Sequence, residues 1–101
     1  MIFKTFRIGG IHPEENKITA EIKTCIADVP RQAFFPLSQH IGAPAVPIVK
    51  KGDKVKVGSK IAEAGGLVSA PVHSSVSGTV AKVGAMIDAT GYSKPMIIIN
   101  V

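Results

Sequence analysis

The chain has 101 residues, of which 46% are hydrophobic and 19% charged. This bounds one globular domain, residues 1–101, and excludes a disordered chain. One cysteine among them excludes an internal disulfide and a cysteine-ligated iron–sulfur cluster, which needs about four thiolates.

Ten glycines and seven prolines spread along the chain leave no room for long helices, so the expected fold class is all-β with few or no helices. Five aromatics and no tryptophan leave the core to Val, Ile and Ala. No apolar run reaches the roughly 18 residues of a membrane span. Residues 1–10 lack the apolar region of a signal peptide. The expected setting is soluble and cytoplasmic, with no direct insertion into a membrane.

In chain order, residues 1–8 are a candidate strand ended by Gly9-Gly10. Residues 16–29 are ambiguous: Ile18, Ile22, Cys25, Ile26 and Val29 fit a helical face, whereas Ile18, Ala20 and Ile22 fit strand alternation. The β-branched residues and Pro30 favour extended structure, with Cys25 as a small core or strand residue. Residues 33–37 read as a strand that Pro36 confines to an edge or bulge. From Pro44 onward strands alternate with turns: 46–50, a turn at Lys51-Gly52-Asp53, 55–57, 60–64, a Gly65-Gly66 turn tolerant of positive φ, 67–72, 76–83 and a closing strand at 95–101. Val57-Gly58-x-x-Ile61 and Val83-Gly84-x-x-Ile87 form a faint echo, as two related half-barrels would produce.

The charge of +5 is concentrated in Lys50, Lys51, Lys54, Lys56 and Lys60. Lys54 and Lys56 alternate with Val55 and Val57, as on a strand edge kept soluble by lysines. A basic nucleic-acid module would interleave stacking aromatics with these charges. None occurs between Phe35 and Tyr92, so nucleic acid is not an expected partner.

Catalytic motifs are absent. His12, His40 and His73 are 28 and 33 residues apart and match no local metal-ligand spacing, so hydrogen bonding or docking is their expected role. Residues 72–78 set serines beside an imidazole but lack the leading glycine of a Gly-x-Ser-x-Gly elbow. Gly52 to Gly58 is no phosphate loop, because Lys60 does not directly follow the second glycine. No catalytic, cofactor-binding or metal-binding residue is expected in this segment.

Gly52-Asp53-x-Val55-x-x-Gly58-x-x-Ile61 followed by Ser77-Gly78-Thr79-Val80 resembles the framework of domains that carry biotin or lipoate on a lysine at a hairpin tip. The corresponding tip here reads Ala64-Gly65-Gly66-Leu67-Val68, and residues 61–81 contain no lysine. Lys60 and Lys82 bracket that region, and neither falls at its tip. A degenerate carrier remains one alternative, and a free-standing basic binding module another.

Gly9-Gly10-Ile11-His12-Pro13, residues 36–44 (PLSQHIGAP), Lys51-Gly52-Asp53-x-Val55, Ile61-Ala62-Glu63-Ala64 and residues 69–78 (SAPVHSSVSG) are similar to the N-terminal domain of the C subunit of the Rnf electron transport complex. The resemblance runs from Phe6 to Val83 and fades over residues 84–101. A related domain opens the A subunit of the sodium-translocating NADH:quinone reductase, the second alternative. The resemblance implies a barrel-sandwich hybrid, as in biotinyl and lipoyl domains, at the head of a longer subunit. It implies that the rest of that subunit binds FMN, NADH and two [4Fe–4S] clusters. The implied partners are other subunits of the complex and the parent chain's own flavin and NADH module, on the cytoplasmic side of the cell membrane. The candidate docking residues are His40, Gly42, His73, Ser74 and Ser75, which are polar or small and sit at expected loop ends. The competing reading is that the same residues satisfy turns within the barrel.

Overall fold

A computed structural model of the chain describes residues 9–101. The strand expected at residues 1–8 lies outside the described residues. Seven strands follow: β1 (Gln32–Pro36), β2 (Val46–Pro47), β3 (Lys54–Val55), β4 (Lys60–Glu63), β5 (Val72–His73), β6 (Gly78–Ile87) and β7 (Ser93–Asn100). They form a four-stranded sheet in the order β1-β7-β6-β3 and a three-stranded sheet in the order β2-β4-β5. Every pairing is antiparallel, and no helix occurs among the described residues.

The two sheets share one core. Phe35 of β1, Val55 of β3, Ile61 and Ala62 of β4, Val72 of β5, Val80 of β6 and Ile97 and Ile99 of β7 pack together with Leu37 and Ala45. The expected Val, Ile and Ala core is thus present, with Phe35 and Leu37 added. Strand alternation explains most of this pattern, since Ile97 and Ile99 share a face of β7. In β4 the adjacent Ile61 and Ala62 are both buried, and the register shift between Lys60 and Ala62 against β5 marks the bulge that permits it.

The Gly-Asp element of the sequence works as a brace. The Lys50 N–H donates to the Asp53 carboxylate at 2.9 Å, closing the turn. The Gly52 N–H donates to the Val80 carbonyl, and the Val80 N–H donates to the Asp53 carbonyl, each at 2.8 Å. This clamps the turn to β6. Pro36 sits on edge strand β1, as expected. Leu37 directs its N–H to β7, at the Pro95 carbonyl. Alternation therefore turns the Pro36 backbone outward, where no ladder bond needs its missing N–H.

Several expectations do not hold. Residues 16–29 form neither strand nor helix: short turns join Ala20 to Lys17 and Ile22 to Thr19, and the rest has no ladder partner. Ile18, Ile22, Ile26 and Val29 are exposed, and so is Cys25, which is not a core residue. β3 stops at Val55, so Val57 faces solvent rather than continuing the alternation. Lys54 does lie on an edge strand, since β3 ends the four-stranded sheet. The echo is not structural, because Gly58 lies in the turn before β4 while Gly84 lies inside β6. Residues 9–30 are exposed throughout.

The β6–β7 hairpin closes through Asp88. Its carboxylate accepts the Thr90 N–H at 2.8 Å and the Thr90 hydroxyl. That hydroxyl, opposed by desolvation and aided by the Thr90 N–H and the Lys94 charge, holds the Asp88 carboxyl below its ordinary value of 3.8. A depressed carboxylate stabilises the folded loop above its unfolded value and loses that contribution as pH falls through the folded one. Acidification from about pH 4 downward is expected to release the Thr90 amide, followed by its NMR shift, and Asp88→Asn should remove that transition. Ile61→Ala should cost about 2–5 kcal/mol in urea unfolding. Ile26→Ala, at a residue 98% exposed, should stay within about 0.5 kcal/mol.

Candidate docking groove

β1 ends the four-stranded sheet and β5 ends the three-stranded one. Between these two edges lies a groove of about 380 Å³, lined by Phe35, Gln39, His40, Ala70, Pro71, Val72, His73 and Ser75. Its floor is apolar, since Phe35 and Val72 are buried core members. Its rim is polar and carries no carboxylate.

Beside the groove, the loop over residues 37–45 is tied to the β4–β5 connection by a small hydrogen-bond knot. The Ser69 hydroxyl donates to the Ala43 carbonyl at 2.7 Å and accepts the Gly65 N–H at 2.9 Å. His40 Nε2 lies 2.9 Å from the same carbonyl and 3.1 Å from Ser69 Oγ. A carbonyl only accepts, so Nε2 carries the hydrogen, and Nδ1 is the nitrogen left without a partner among the described residues. The Ala43 N–H donates to the Val68 carbonyl at 2.9 Å.

Gly42 belongs to this knot. It has φ +88°, and a Cβ there would collide with the Val68 carbonyl. Gly65 does not adopt positive φ, contrary to the sequence reading. Its hydrogen side chain instead allows close approach to the Pro44 carbonyl.

The candidate residues therefore separate. His40, His73 and Ser75 meet at the groove. Gly42 and Ser74 do not line it. Ser74 is 2% exposed, and its hydroxyl donates to the Val76 carbonyl at 2.6 Å. Its N–H and carbonyl pair with Ser59 and Gly58, so its role in the barrel is internal. Gln39, which lines the groove, and Ser69, at the centre of the knot, are residues the sequence reading does not single out, although both fall inside the segments 36–44 and 69–78 that carry the resemblance. Gln39 lines the groove and donates to the Pro36 carbonyl at 2.9 Å. His12 is exposed and does not line the groove.

The β4–β5 connection, residues 64–71, is the tip at which a carrier would present its lysine, and it contains none. Among the described residues no three His, Cys, Asp or Glu side chains converge as metal ligands. No helix among the described residues is long and apolar enough to cross a membrane.

A family model described as RnfC Barrel sandwich hybrid domain matches residues 4–101, so the similarity extends through the last strand as well. The chain is 46% identical over 97 residues to the C subunit of the Na(+)-translocating ferredoxin:NAD(+) oxidoreductase complex of Acetobacterium woodii, covering 95% of this chain and 22% of that protein. It is 46% identical over 84 residues to the C subunit of the proton-translocating ferredoxin:NAD(+) oxidoreductase complex of Clostridium ljungdahlii, covering 82% and 18%. Against the C subunit of the ion-translocating oxidoreductase complex of Rhodobacter capsulatus the identity is 45% over 95 residues, covering 91% and 18%. The chain spans about a fifth of the length of these relatives.

Removal of the hydroxyl at the centre of the knot is a direct check on this geometry. Ser69→Ala leaves the Gly65 N–H without its acceptor and should cost about 1–3 kcal/mol. Hydrogen exchange should accelerate at Gly65 and Ala43 before it does in β7.

Proposed function

The chain belongs to the RnfC barrel sandwich hybrid domain family, and on that premise we propose that it is a docking module of a membrane-peripheral subunit in an ion-translocating ferredoxin:NAD oxidoreductase complex. It is the N-terminal piece of a longer subunit, on the cytoplasmic side of the membrane. Its task is to hold the flavin and NADH module, or a neighbouring subunit, in register for electron transfer. The observation that carries this reading is the groove between the sheet edges, where His73 and Ser75 stand without side-chain hydrogen-bond partners among the described residues.

The redox groups belong to the remainder of such a subunit. A [4Fe–4S] cluster needs about four cysteine ligands, and this chain has one, which is exposed on the segment before β1. FMN and NADH likewise find no glycine-rich strand–turn–helix here, because the described residues contain no helix. Similarity is equal, at 46%, to a sodium-translocating and a proton-translocating relative. We accordingly place ion selection outside this domain. A carrier function is disfavoured by the tip, which offers no amine to modify.

The test uses the full-length protein. His73→Ala with Ser75→Ala alters exposed side chains and should leave its melting temperature and NADH-dependent flavin reduction unchanged. Association with the remaining membrane-bound subunits, measured by titrated co-purification, should weaken about tenfold, equivalent to about 1.4 kcal/mol. Unchanged association with a folded variant refutes a docking role for this groove.

A further inference from the structure

The chemistry of the groove specifies what it takes, provided the docking reading above holds. Proline interrupts the chain at both borders: Pro36 of β1 is outward because Leu37 bonds to β7, and Pro71 immediately precedes β5. Neither proline has an N–H to offer an added strand. Recognition therefore falls to side chains rather than to a new backbone ladder.

Those side chains favour one charge. The elements that meet the groove carry His40 on residues 37–45, His73 on β5 and Lys60 and Glu63 on β4, while β1 has no titratable group. Lys60 is directly across the ladder from His73 and exposed. Glu63 is in register with Val46, at the far end of β4 from Lys60. No carboxylate lines the groove itself. What it offers is the His73 imidazole, the Ser75 hydroxyl and the His40 ring, over an apolar floor of Phe35 and Val72. Charge-assisted bonds from such donors to a carboxylate are shorter and stronger than neutral ones. The +5 net charge attracts an anionic partner from a distance.

We propose that this groove receives an extended acidic segment of a partner protein, with an Asp or Glu carboxylate seated between His40 and His73 and an apolar neighbour against Phe35 and Val72. The knot through Ser69 and the close packing at Gly42 fix the His40 ring in advance, so little ordering is needed when the segment arrives.

Two blocked peptides test this on the 101-residue chain, acetyl-Val-Glu-Val-Glu-Val-amide and its Gln counterpart. The Glu peptide should bind about tenfold or more tightly than the Gln peptide. Saturable NMR shifts should appear at the imidazoles of His40 and His73. His73→Ala, at an exposed position, should keep the fold and bring the two affinities within about twofold. Equal binding of the two peptides, the absence of imidazole shifts at millimolar peptide, or shifts confined to Lys50, Lys51, Lys54 and Lys56 each overturn the proposal. Titrated co-purification of the full-length protein with its membrane-bound partners separates the two ideas. If His73→Ala weakens assembly without Glu-over-Gln discrimination, docking stands and acid recognition falls. If discrimination occurs with unchanged assembly, the groove takes a carboxylate but is not the assembly contact.

Discussion

Burial across the gap between the two sheets is the constraint on which everything else rests. β2, β3 and β5 are each two residues long, too short for their ladders to stand alone. What keeps them in place is that Ile61, Ala62 and Val72 from one sheet bury against Val80, Ile97 and Ile99 from the other. Each fully buried large aliphatic side chain contributes about 1.5–3 kcal/mol. β7 is the spine of this arrangement. It supplies four consecutive buried residues, Met96 to Ile99, and pairs on both sides with β1 and β6.

The groove follows from the same packing. Two sheets that share a core but do not hydrogen-bond to one another leave a seam where β1 and β5 end. Beside it, residues 37–45 are tied back onto the β4–β5 connection through Ser69, His40 and the Ala43 carbonyl. The groove's apolar floor is supplied by Phe35 and Val72 of the core.

Much of the barrel is legible in the sequence because its signals are local. Gly52-Asp53 reads as a turn and is one, braced to Val80. Pro36 marks an edge and lies on one. The run before Asn100 reads as a closing strand and becomes the spine. The failures share a different cause. Residues 16–29 have the apolar spacing of a regular element but no partner to bury it, and periodicity alone does not supply one. The expectations for Cys25 and Val57 fail for the same reason. At the site, His40, His73 and Ser75 stand out in the sequence as polar residues near loop ends. The inward turn of Ser74 and the collision that makes Gly42 a packing glycine depend on contacts with Val76 and Val68 across space. Gly65 suggests conformational freedom by its residue type and is instead needed for its lack of a side chain.

The prolines on the two sheet borders also govern what happens between identical molecules. A strand edge with all its donors exposed templates further strands, and proteins held close together then polymerise. With Pro36 and Pro71 interrupting the donor rows that flank the seam, and Lys54 charging the edge at β3, copies crowded side by side are poor templates for one another. Such a barrel can be displayed densely on a surface and still remain a set of separate molecules.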